Sequence, residues 1–364
     1  MSSLRDPVGT EQIELMFAED LNFFVNKEVD QRTFFQKLKI KHFLALPSIV
    51  LKRIYKILPP ICKDIFFWAW VPHRAPASKF FARTRYAELR TLIDINLSFL
   101  TLRSIPSKLF DAVKTTFDAG FYSTNLTDVS ELDLFISDVI HYASPTHAGA
   151  RPYFKDGKDQ KIEGSFSAYY NFSEEDNKRI STFILKRIDK DFNSHLSALA
   201  GYKCNFKDIS YSLGIVYGEN SNSEMHQDTF ASIAKGFIYL QDVSADNSPF
   251  EYIEGSYKDA AFRSSQTNRA VIENDTQNSG ATRLRGGELD DAIKRHKLKT
   301  FTGPKGLFIL ANTAAYHRKG SHNSPKPRIT LNFEIKRRGL FSKLLINLLA
   351  IMKFKIFKNK ENYG

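Results

Sequence analysis

The chain reads as an α+β protein with a mainly β core, a helical N-terminal extension and a C-terminal helix. Three observations predict this. Its 31 Phe and 15 Tyr are a heavy aromatic load, and aromatic rings favour pleated, half-buried strands. Apolar residues recur at helical spacing before residue 208 and at strand spacing after it. At 364 residues the chain can bury a sizeable core, in one large domain or two.

Residues 1–104 read as a basic, mostly helical extension. Ser48 can cap a short helix that runs to Leu58 and stops at Pro59-Pro60. Ile49, Val50, Ile54, Ile57 and Leu58 are its apolar set, with Lys52, Arg53 and Lys56 on the other side. The aromatic run Ile65 to Val71 reads as core, or as a cover over the main domain.

Residues 105–338 form the main domain in this reading. Leu109, Val113 and Phe117 share a helix face, and Gly120 ends that helix. Phe121-Tyr122 begins a strand, and Asp128 or Ser130 can cap a helix to about Tyr142. Ser173 opens a long helix whose apolar face is Ile180, Phe183, Ile184, Ile188, Phe192 and Leu196. The clearest strands are 211–217, 237–243, 307–311 and 329–335. In the last, Ile329, Leu331, Phe333 and Ile335 alternate with Thr330, Asn332 and Glu334. Residues 260–300 break the strand pattern and read as a lid or substrate loop, with a helix at 289–296 after Gly286-Gly287. Residues 339–364 read as a basic amphipathic tail. Leu340, Phe341, Leu344, Leu345, Leu348, Leu349 and Met352 cover a broad helix face, with Lys343 and Lys353 elsewhere.

The net charge of +12 is uneven. Residues 31–85 hold twelve Lys/Arg and one acid, Asp64, while residues 336–360 hold eight and none. Such flanks suit an anionic surface, and a membrane fits better than nucleic acid because no nucleic-acid module is recognised. Cys62 and Cys204 form no disulfide framework or zinc spacing, which favours a reducing compartment. The polar, acid-rich start lacks a signal-peptide pattern, and no apolar stretch reaches spanning length. The expected setting is cytoplasmic, with the flanks either in peripheral contact with a membrane or packed on the main domain so that only their lysines are solvated.

The most specific pattern is His226-Gln227-Asp228, then His317, then Arg328. Residues i and i+2 of a strand face the same way, so His226 and Asp228 can reach one metal while Gln227 points away. Two His and one carboxylate form the facial triad suited to non-haem Fe(II), which leaves positions open for O₂ and a co-substrate. Arg328 offers a fixed, bidentate cation for a dicarboxylate. Thr330, at i+2, can assist it. Iron with a dicarboxylate anchor points to a 2-oxoglutarate-dependent oxygenase. His322 competes with His317 but sits in the turn-like Gly320–Pro325 loop. If 317 and 328 lie on adjacent barrel strands, they stand at one level.

From Pro106 to Arg338 the sequence resembles the phytanoyl-CoA dioxygenase family of Fe(II)/2-oxoglutarate oxygenases. The matching segments are Thr116–Phe121, Met225–Phe230, Tyr239–Val243 with Ser248–Lys258, and Tyr316–Gly320 through Asn323 to Pro327–Leu331. The resemblance implies a double-stranded β-helix (a jelly roll, cupin-like) with helices outside one sheet. It implies metal ligands His226, Asp228 and His317. It places Arg328 on 2-oxoglutarate, with Thr330 as helper and Phe237 lining the co-substrate pocket. Ser248 stands where the family has Gly, and Tyr257 where it has His; both read as turn variation. Related halogenases lack the carboxylate, so Asp228 favours hydroxylation. The expected partners are a small-molecule substrate, O₂ and 2-oxoglutarate. A polar or basic pocket beside His226 would suit a sugar or CoA ester, and an apolar one a lipid chain. The competing reading is a non-catalytic jelly roll that binds metal or ligand at a membrane surface.

Overall fold

Two antiparallel sheets form the centre of the protein. The computed structural model describes residues 86–129, 131, 152–154, 166–172, 174–206, 209–218, 223–229, 231–273, 282–335 and 338–361. The helix expected at 48–58, the aromatic run at 65–71, Cys62, and the helix expected to run to Tyr142 lie outside them.

The larger sheet has the strand order β1 (Phe121–Asn125), β10 (Leu307–Asn312), β6 (Ala234–Tyr239), β12 (Arg328–Ile335), β4 (Ile209–Tyr217), β3 (Phe166–Asn171) and β2 (Pro152–Phe154). The smaller has the order β8 (Thr282–Arg283), β5 (His226–Gln227), β11 (His317–Lys319), β7 (Phe250–Ile253) and β9 (Leu298–Phe301). From β4 to β7 the chain alternates between sheets, and from β9 to β12 it does so again. The sheets pack face to face. The Phe237 and Phe250 rings are 4.8 Å apart. Tyr239 Oη donates to the Phe301 carbonyl at 2.8 Å and accepts from the Phe250 N–H at 3.0 Å.

Strand alternation sends the other face of the larger sheet outward, onto helices α3 (Glu174–Leu185) and α4 (Phe192–Ala200). Leu213, Ile238, Phe308, Leu310, Leu331 and Ile335 join Ile180, Ile184, Phe192, Leu196 and Leu199 in one dry cluster. Each such buried side chain stabilises the fold by about 1.5–3 kcal/mol. Gly236 is required here, because a Cβ on it would overlap the ring of its cross-strand partner Phe333. Helix α2 (Phe110–Ala119) ends on Gly120, whose φ of +84° provides the left-handed cap expected from the sequence.

Several expectations are corrected. The long helix after Ser173 is two helices. The amide and hydroxyl of Thr127 both donate to the Arg187 carbonyl, and the Tyr122 hydroxyl donates to Asp189 at 2.7 Å. The Thr127 bonds occupy a carbonyl that a continuous helix would use itself, and the Tyr122 bond anchors the connecting segment. The strand expected at 237–243 starts earlier and ends at Tyr239, with Val243 bridging to Gly303. Residues 260–300 are not an open loop. They contain β8, β9, α5 (Ala260–Ile272) and α6 (Glu288–Arg295). The Asp259 side chain caps α5 by accepting from the Phe262 N–H at 3.0 Å. The pattern of α5 is hidden because half of its buried residues are polar: Arg263, Ser264, Gln266 and Thr267. Helix α1 (Tyr86–Leu102) is similar, burying Arg90, Thr91, Asp94, Ser98 and Thr101. Helix α7 (Leu340–Glu361) packs on α1. No helix among the described residues is long and apolar enough to cross a membrane.

Candidate active site

His226 and His317 are register partners on β5 and β11. Directly opposed residues of antiparallel strands have their Cβ atoms about 5 Å apart, and these two rings have centroids 4.7 Å apart. Asp228 follows β5 at i+2, and its N–H donates to the Thr313 carbonyl at 3.0 Å. Its Oδ1 is 3.5 Å from His226 Nε2 and its Oδ2 is 3.7 Å from His317 Nε2. One ligand atom from each of the three lies within 4.8 Å of the others. Gln227 points away as expected, its amide oxygen accepting from Arg263 Nε at 3.1 Å.

This donor set fits a metal ion. Ligands about 2.1 Å from one ion stand about 3–3.5 Å apart, close to the two His–Asp gaps of 3.5 and 3.7 Å. His226 Nδ1 is 2.7 Å from the Glu224 carbonyl, and His317 Nδ1 is 3.0 Å from the Ala315 carbonyl. A carbonyl only accepts, so both Nδ1 atoms carry the proton and both Nε2 lone pairs face the shared space. Burial pushes the His317 pKa down to about 4, against the opposing pull of Asp228, so the ring is neutral near pH 7. His322 is not in the cluster. Its Nδ1 is 2.8 Å from Ser248 Oγ.

A cavity of about 520 Å³ opens beside the triad. Phe237, Phe250, Arg328, Lys235, Asn332 and Glu334 are among its walls. Arg328 is buried, stands opposite Val216 on β4, and donates to the Ser248 carbonyl. It reaches the cavity from the larger sheet, whereas His317 reaches it from the smaller. The two strands are therefore not neighbours in one sheet, contrary to the expectation, because residues 320–327 cross between sheets. Thr330 does not line the cavity; its hydroxyl donates to Asn332 Oδ1 at 2.8 Å. Phe237 contacts Phe250, which in turn lies 5.6 Å from the His317 ring.

Sequence reasoning missed three features. Lys235 Nζ lies 2.8 Å from Asp228 Oδ2 and 3.3 Å from Glu334. It shares the parity of Phe237, so starting the strand at Ala234 would have found it. Lys319, at i+2 from His317, is buried and donates to the Gly218 carbonyl at 2.6 Å. Ser248 is fully buried with a φ of +51°, so it is more than turn variation. It holds a strained backbone between Arg328 and His322.

No family profile matches the chain, and no curated protein matches its sequence. Among solved structures it is similar to the epimerase SnoN in complex with Fe3+, alpha ketoglutarate and nogalamycin RO (TM-score 0.37, 11% identity, 62% of this chain and 84% of that one). It is also similar to the non-heme alpha ketoglutarate dependent carbocyclase SnoK from nogalamycin biosynthesis (0.40, 13%, 62% and 83%). A third is EctD from S. alaskensis with 2-oxoglutarate and 5-hydroxyectoine (0.40, 13%, 64% and 77%). Overlaps this partial define neither a family nor an activity for this chain.

Proposed function

We propose that this protein is an Fe(II)- and 2-oxoglutarate-dependent oxygenase on a double-stranded β-helix, hydroxylating an aliphatic carbon of a polar small molecule. The observation that carries the reading is the convergence of His226, Asp228 and His317, with both imidazole tautomers pinned, in the cavity that also receives Arg328. The sequence resemblance to the phytanoyl-CoA dioxygenase family, with the alternation of strands between two sheets, supports the same class.

When bound, Fe(II) and 2-oxoglutarate supply O₂ activation coupled to decarboxylation, with succinate and CO₂ as co-products. His226, Asp228 and His317 would hold the metal on one side and leave the cavity side open. Arg328 would pair with the far carboxylate of 2-oxoglutarate, a charge-assisted contact in a site with little water. The carbonyl of Ser248 fixes the guanidinium before the ligand arrives. Phe237 and Phe250 form an apolar wall of the cavity beside His317, which limits water beside the reacting groups.

The remaining cavity surface argues for a polar substrate. Ser210, Ser212, Asn332, Glu334 and Lys235 offer donors and acceptors along one side. An acyl chain there would strip water from these groups and return no hydrogen bonds. A hydroxyl- or amine-bearing molecule satisfies them. A reducing cytoplasm suits this chemistry, since both Fe(II) and 2-oxoglutarate are present there. The non-catalytic alternative has no need of a dicarboxylate anchor at Arg328.

Succinate production from 2-oxoglutarate under air, with Fe(II) supplied, tests the reading. Even without the native substrate, slow turnover is expected in the wild type and not in Asp228→Ala. Fe(II) binding without any succinate, under saturating 2-oxoglutarate, would favour the binding-protein alternative.

A further inference from the structure

Helix α7 is turned inside out. Lys343 and Asn347 face inward and are almost fully buried, while Leu345, Leu348, Leu349 and Met352 face outward, each 45–53% exposed. The sequence puts Lys343 off the leucine face, and the structure shows its side of the helix to be the buried one. The orientation is held by a polar key. Lys343 Nζ is 2.9 Å from Asp94 Oδ1 and donates to the Ser232 carbonyl at 2.9 Å. The Ser232 N–H donates to the other Asp94 oxygen at 2.7 Å. Asn347 donates to the carbonyls of Leu97 and Gly201 and accepts from the Lys203 N–H. Rolling the helix to hide its leucines would strand a buried ion pair. Positions 345, 348, 349 and 352 fall on one stripe of a helix.

We infer that this stripe docks the enzyme on an anionic lipid surface. Charge decides between the possible occupants. Residues 336–360 carry eight Lys/Arg and no acid, which leaves seven basic residues once the buried Lys343 is set aside. A second copy of the chain would bring two such segments together and repel. A membrane rich in anionic headgroups attracts them, at about 1 kcal/mol for each basic residue near the surface. The helix lies in the interface rather than across it, with its exposed leucines at the acyl boundary. The inference is independent of the metal site.

Sedimentation of the full chain with vesicles of phosphatidylcholine alone, or of phosphatidylcholine with phosphatidylglycerol, tests it. Binding is expected only with phosphatidylglycerol, rising with its content and weakening with salt. The double variant L345E/L349E should bind at least about tenfold less, since the two changes remove apolar contacts and add repelled charge. Both positions are exposed, so its melting and Fe(II) uptake should match wild type; the milder L345S/L349S serves if they do not. Equal binding to both vesicle types, no binding to either, or binding unaffected by these variants overturns the inference. So does a wild-type dimer, seen by sizing, that the variant splits without any vesicle binding.

Discussion

Strand β12 carries two kinds of chemistry. Leu331 and Ile335 enter the dry cluster beneath α3 and α4, whereas Arg328, Asn332 and Glu334 line the cavity. The neighbouring strand β6 divides in the same way, with Ile238 outward and Lys235 and Phe237 inward. Both faces of the larger sheet are covered, but the inner one is filled like a core only where Tyr239, Ile309 and Ala311 meet Phe250, Tyr252 and Phe301, and it leaves the cavity beside Arg328, Asn332 and Glu334. The difference teaches how stability and reactivity share one sheet. Alternation lets the outer face hold the strands rigid, so that the inner face can keep charged groups that contribute little to folding. Changes on the outer face should then alter stability and leave the site's chemistry intact. Changes on the inner face should do the reverse.

The sharpest break of this comparison is Phe308→Ala. Phe308 is fully buried in the outer cluster and contacts Phe192 and Phe333. Its loss should lower unfolding stability by about 3–5 kcal/mol in a denaturant titration. Fe(II) stoichiometry per folded molecule should not change; a parallel loss of metal would show that the two faces are coupled. The counterpart is Asp228→Ala on the inner side. Metal affinity should fall by more than the roughly 10–100-fold typical of losing an outer-shell partner, while the denaturant midpoint shifts little.

Acid should next separate the faces. The unfolded chain binds a proton near pH 6.5 that the buried His317, with its pKa of about 4, refuses. Stability of the metal-free protein therefore declines as pH falls from about 6.5 to about 4, by up to about 3 kcal/mol from this group, and is unaffected by it above pH 7. His317→Gln should flatten that decline in thermal melts. An identical slope in wild type and variant would remove His317 from the account.

The convergence of His226, Asp228 and His317 and the presence of Arg328 in the same cavity were legible in the sequence, because a facial triad with a dicarboxylate anchor needs those residue types. Phe237 followed from the resemblance alone. Lys235, Asn332 and Glu334 were not, since a polar residue on a strand normally faces water and only the second sheet turns this face inward. For the same reason α5 and α1 escaped a periodicity reading: their buried faces hold arginine, aspartate and hydroxyl groups. The break between α3 and α4 was invisible because Thr127 and Tyr122, far back in sequence, make it. Each miss has one origin, a local pattern overridden by a distant partner.

The smallest expected effect sharpens the border between the faces. Ser248 is strained at φ +51°, and its hydroxyl meets His322. Glycine would relieve about 1 kcal/mol of strain while losing a hydrogen bond of similar worth, so Ser248→Gly should be nearly neutral. Ser248→Ala keeps the strain and loses the bond. It should be less stable than the glycine variant by about 1 kcal/mol in chemical denaturation; equal stabilities would mean that the left-handed backbone there carries no strain.

The most direct test is an anaerobic calorimetric titration of 2-oxoglutarate, with and without Fe(II), into wild type and Arg328→Ala. The account predicts tight binding only when Fe(II) is present. It also predicts a loss of about 1.5–3 kcal/mol in Arg328→Ala, the worth of a hydrogen bond to a charged group, with Fe(II) affinity retained. Binding of 2-oxoglutarate that ignores Fe(II), or that is unchanged in Arg328→Ala, would contradict it.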